Sequence, residues 1–170
     1  MFRPIQRAVL FAVAFLICGP AAAQSEVGSG QVRATHGAWQ VRCGQLPGAK
    51  AEKCALVQYV RAEDRPNISL TVIFLQSFDS DQKVLRVVAP LGILLPTGLG
   101  LKIDNADVGK TQFLKCWSIG CVAEVVVDEK LLGKMQQGGR ASFIIFQTPE
   151  YGIGVPISLA GFNDGLKSIN

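Results

Sequence analysis

Apolar and polar residues alternate along most of this chain with the two-residue period of a strand that has one buried face. At 38–43, Trp39, Val41 and Cys43 face one way and Gln40 and Arg42 the other. A second run of this kind, 54–61, reads Cys-Ala-Leu-Val-Gln-Tyr-Val-Arg, and Pro47-Gly48 before it predicts a returning loop. Between 68 and 75 the pattern opens as alternation, with Ile68, Leu70, Val72 and Phe74 against Ser69 and Thr71. It then closes apolar on both faces, which predicts a central strand. Strand character resumes at 84–88 and 93–95, bent at Pro90 and Gly92 and stopped at Pro96. Leu101 and Ile103 alternate with Lys102 and Asp104, and 104–109 reads as a turn. The spans 111–116 and 121–127 predict a hairpin with Trp117-Ser118-Ile119-Gly120 at its tip; 142–147 and 153–159 predict the last two strands.

Two stretches change period. Asp128 is placed to N-cap a helix over 129–137, where Leu131, Leu132 and Met135 share a face before Gly138-Gly139. Phe162, Leu166 and Ile169 recur at helical spacing, so a short C-terminal helix should lay its apolar side on its own domain. Nine or ten short strands with two small helices and no internal repeat predict an all-β fold. The expected architecture is a β-sandwich of immunoglobulin-like or jelly-roll-like type.

The first residues must be set aside before charge is weighed. Arg3 and Arg7 precede an apolar run at 8–18, then Gly19-Pro20 and Ala21-Ala22-Ala23, which reads as a secretory signal cleaved after Ala23. The residue before Cys18 is Ile17, where a lipoprotein signal wants a small residue. The expected organisation is a cleaved signal peptide at 1–23, a flexible Gly- and Ser-rich lead-in at 24–33 and a single β-sandwich domain at 34–170. Cleavage would leave 147 residues (170 less 23), with 15 Lys and Arg against 13 Asp and Glu after Arg3 and Arg7 go. A net charge of +2 points to no nucleic-acid partner. After the leader, no apolar run reaches membrane-spanning length without a charge or turn former; the nearest, 84–101, contains Arg86, Pro90, Pro96 and three glycines.

Four cysteines follow the leader: Cys43, Cys54, Cys116 and Cys121. An even count behind a secretory signal predicts disulfides formed in an oxidising compartment. Three connectivities can join them, and proximity on adjoining strands favours Cys43 with Cys54 and Cys116 with Cys121. A zinc site fits poorly, since the spacings are irregular and His36 is the chain's one histidine.

No catalytic set emerges, and none of the candidate groups implies a cofactor or metal. His36 has no free cysteine to pair with if both disulfides form, and Glu124 among Val122, Val125 and Val126 reads as the outward residue of a half-exposed strand. Asp79 and Asp81 resemble the start of a calcium loop, but no further acidic ligand or glycine follows. Trp39 falls on the core phase. Trp117, at a disulfide-closed tip, is the candidate contact for a protein partner.

The ordered set of motifs resembles the invasion-associated locus B family. It comprises Trp39-x-Val41-x-Cys43 with Cys54-Ala-Leu-Val-Gln58; Pro90-Leu91-Gly92-Ile93-Leu94-Leu95-Pro96-x-Gly98; Leu101-Lys-Ile103-Asp104; Cys116-x4-Cys121 followed by Ala123 and Asp128-x-x-Leu131-Leu132; and Pro156-Ile-Ser158-Leu159-x-Gly161-Phe162. The resemblance spans almost all of the chain after the leader. It implies a small bacterial protein of β-sandwich-like fold, periplasmic or secreted and in some cases associated with the outer membrane, with no enzymatic activity. It also implies a role in host-cell entry for members from pathogens. The expectation is therefore an exported, non-enzymatic protein that acts through contacts with a protein at the envelope or host surface. A periplasmic module binding a small ligand between its sheets is the alternative.

Overall fold

The structure, a computed structural model, describes residues 30–45, 51–65, 67–77 and 80–169. The segment expected to be a leader, 1–23, most of the expected lead-in and Asp79 lie outside the described residues. Two antiparallel sheets pack face to face. The wider holds seven strands: β1 (Gln31–His36), β2 (Trp39–Gly44), β3 (Lys53–Arg61), β4 (Ser69–Gln76), β5 (Lys83–Ala89), β8 (Phe113–Trp117) and β9 (Gly120–Val126). The narrower holds β6 (Leu99–Ile103), β7 (Ala106–Thr111), β10 (Arg140–Thr148) and β11 (Tyr151–Ser158). Helix α1 (Glu129–Gln137) links β9 to β10, and α2 (Phe162–Ile169) follows β11.

Alternation becomes burial as the pattern requires. Trp39, Val41, Leu56, Leu70, Val72, Phe74, Leu85 and Val87 enter one continuous core with Leu101, Phe143, Ile145, Val155 and Ile157 of the opposite sheet. β4 is central, and its doubly apolar end is explained by a second cluster in which Ile73 and Leu75 join Ala55 and Val57. The two helices form as expected. Asp128 Oδ1 accepts the Leu131 N–H at 2.7 Å, and Leu131, Leu132 and Met135 are buried beneath α1. α2 seats Phe162 edge-on to Phe74, ring centroids 5.1 Å apart, and lays Gly165 on Leu56 so closely that an added Cβ would sit 2.6 Å from a leucine methyl.

The all-β sandwich with two short helices stands as expected, and the strand order of its wide sheet, β1-β2-β3-β4-β5-β9-β8, is a five-strand meander extended by a returning hairpin. Several expectations need correction. β1 begins at Gln31, inside the segment read as a lead-in that ends at residue 33. Among the described residues there are eleven strands, because 104–109 is not one long turn. Asp104 and Asn105, both at positive φ, make a two-residue hairpin, and β7 starts at Ala106. The apolar 93–95 run is not a strand: it leads into a single 3-10 turn, Leu95–Thr97, which Pro96 favours by fixing φ and removing a ladder donor.

Candidate functional site

The wide sheet's register places the cysteines. Cys43 and Cys54 are direct partners across β2 and β3, and Cys116 and Cys121 across β8 and β9. Both pairs are bonded, with Cα atoms 4.0 and 3.9 Å apart. Each short closed loop restricts the unfolded chain by about 2 to 3 kcal/mol on the chain-entropy account. The bridges differ in setting: Cys43 is buried in the core, whereas Cys116 is exposed at the sheet edge.

The second bridge closes the 117–120 tip. Gly120, at φ +143°, lies against the carbonyl of Ala89, where any Cβ would approach to 2.3 Å, so this turn is pinned to the end of β5 and admits only glycine. Trp117 is 45% exposed and Ile119 73%, and the Lys115 ammonium stands 4.3 Å from the centre of the indole ring. The chain leaving β5 beside this tip carries exposed Leu91 and then Leu95. Leu94 N–H donates to the Phe146 carbonyl, which brings that connector to the end of β10 and so to the β10–β11 turn with exposed Tyr151. One end of the sandwich therefore presents five large apolar side chains at strand ends and in the connections between them, and the opposite end is occupied by α1. β8 is a terminal strand of its sheet, so its outer edge has no ladder partner among the described residues.

The remaining candidates resolve into structural contacts. His36 Nε2 lies 3.0 Å from Ser168 Oγ, but that hydroxyl donates to the Asp164 carbonyl one helical turn back, so it accepts from the imidazole. A hydroxyl with its proton on a backbone carbonyl is not an activated nucleophile. Glu124 is directly opposite Arg86 and pairs with its guanidinium on the outer face of the sheet. Among the described residues, no three His, Cys, Asp or Glu side chains are grouped to hold a metal ion. Trp39 is fully buried, as its phase predicts.

Two features escape pattern reading. Gln58 is the buried polar side chain among the described residues: its Nε2 donates to the Ser158 carbonyl at 2.9 Å, and its Oε1 accepts the Ser158 N–H at 3.1 Å. Trp39 Nε1 donates to that same carbonyl at 3.0 Å, so β11 is tied to β2 and β3 across the sandwich. The available signal is a glutamine on the apolar phase of 54–60, where a polar residue must find a partner. The other feature is a cavity of about 310 Å³ between the sheets beside α1, lined in part by Lys130 and Lys134 of that helix. No local pattern announces it.

The model of the family described as "Invasion associated locus B (IalB) protein" matches residues 39–170. Invasion protein B of Bartonella bacilliformis is 28% identical over 156 residues, covering 88% of this chain and 81% of the relative. The crystal structure of invasion associated protein B from Bartonella henselae superposes with a TM-score of 0.65 at 20% identity, covering 80% of this chain and 92% of that one. At that identity the likeness establishes the shared fold. Both relatives are named for invasion and neither for a reaction.

Proposed function

This chain belongs to the invasion-associated locus B family, and we propose that it is an exported, non-enzymatic protein that binds another protein through the loop end of its sandwich. The observation that carries this reading is the disulfide-closed β8–β9 tip, which holds Trp117 and Ile119 in solvent on a turn fixed by Gly120. Aromatic side chains held rigidly lose little entropy on binding and dominate the energetics of protein interfaces. Two disulfides suit a compartment outside the cytoplasm, and no helix among the described residues is long and apolar enough to cross a membrane. In this reading the leader at 1–23 directs export, the mature chain acts in the periplasm or after release, and its partner lies at the envelope or on a host surface. The relatives' names support the host side of that choice.

A photo-crosslinking amino acid at position 118, the exposed turn residue between Trp117 and Ile119, expressed in the native envelope, should give one reproducible protein adduct. Trp117→Ala combined with Ile119→Ser should weaken capture of that partner about 30-fold, as for an interface anchor worth about 2 kcal/mol, while leaving the thermal midpoint unchanged. Absence of an adduct, or the same adduct undiminished in the double variant, would refute the assignment.

A further inference from the structure

We infer that the cavity between the sheets beside α1 is a binding site for a free single-chain amphiphile with a carboxylate head, of the fatty-acid class. The cavity exists because the narrow sheet closes imperfectly on the wide one. β7, its edge strand, stands over β9 with Thr111 Oγ1 donating to the Glu124 carbonyl at 2.9 Å. Its ladder with β6 slips between Leu101 and Lys102, so that Val108 is bulged out of register. The walls of the resulting volume of about 310 Å³ include Leu85, Val87, Leu101, Val108, Ala123 and Phe143. That size is at the small end for ligand cavities and takes one alkyl chain, not a two-chain lipid. A sugar would leave its hydroxyls unpaired against such walls.

The mouth supplies the second half of the recognition. Lys130 and Lys134 stand one turn apart on α1, and neither has an ion-pair partner among the described residues. Asp128, the acidic group at the mouth, is engaged with the Leu131 N–H as the helix cap. Val126, 55% exposed, extends the apolar lining to the surface. An apolar chamber with two ammonium groups on one side of its opening matches an alkyl chain ending in an anion.

The test is calorimetric titration of the mature, oxidised protein with octanoate, decanoate and dodecanoate below their micellar concentrations, beside dodecyltrimethylammonium. One-to-one saturable binding of the carboxylates is expected, tightening about fourfold per added methylene until the chamber is filled, with the cationic amphiphile at least tenfold weaker. Lys130→Glu with Lys134→Glu, neither of them buried, should weaken dodecanoate about tenfold without altering the unfolding midpoint. Ala123→Leu should abolish binding in protein that keeps its native near-ultraviolet dichroism. The proposal falls if no carboxylate binds saturably, if the cationic amphiphile binds as well, or if the charge reversals leave affinity unchanged. It also falls if phosphatidylglycerol vesicles sediment the protein while monomeric dodecanoate does not bind, since the lysines would then serve a membrane surface.

Discussion

The two flanks of this sandwich are built to different standards of closure. On the β2–β3–β11 side, Trp39, Phe74 and Phe162 fill the space between sheets and α2, with ring centroids 5.1 and 5.4 Å apart, and Gln58 bonds the backbone of Ser158 across the interface. On the β6–β7–β9 side no comparable aromatic cluster stands between the sheets among the described residues, β7 is largely exposed, and the space beneath α1 stays open as the cavity. Rigid aromatics and a satisfied polar clamp make the first flank the stable half. The second flank keeps an unfilled volume between its sheets.

Substitutions that strike the two flanks should separate them. Phe162→Ala removes the ring between Trp39 and Phe74 and unseats α2, and should cost about 3 to 5 kcal/mol in urea unfolding; a loss below about 1 kcal/mol would mean that the aromatic cluster does not secure this flank. Gln58→Leu keeps the volume but strands the Ser158 N–H, and should cost about 1 to 3 kcal/mol. Equal stability of this variant and the native protein would show that Trp39 alone ties β11. Val108→Ala, on the open flank, deletes methyls that face the cavity and should cost under about 1 kcal/mol by the same measurement. A cost as large as that of Phe162→Ala would erase the distinction between the flanks.

The elements legible in the sequence share a physical trait. β2, β5 and β10 each bury one face, and period-two burial is what alternation records; β4, buried on both faces in its second half, reads as central because that half is apolar throughout. β1 and β7 bury neither face well, so their first residues, 31–33 and 106–109, carry no phase and read as the end of a lead-in and part of a turn. The run Ile93-Leu94-Leu95 fails in the other direction: its apolarity is real, but Pro96 turns the chain before a ladder can form. For the candidate site, Trp117 and the four cysteines stand where their spacing predicts, at a closed tip and on paired strands. The company Trp117 keeps does not follow from spacing, because Leu91, Leu95 and Tyr151 reach the same end of the molecule only through the β5–β6 crossing and the β10–β11 hairpin.

Residue order settled whatever depends on neighbours within a few positions: strand phase, the Asp128 cap, the β8–β9 turn and the cysteines that face each other across it. The join between sheets, the Gln58 clamp, the unfilled volume and the pair of lysines at its rim required the fold, because each arises between segments dozens of residues apart, Gln58 and Ser158 being separated by 100. Short-range periodicity reports which face of a segment leaves water, and it carries no information about what that face meets there.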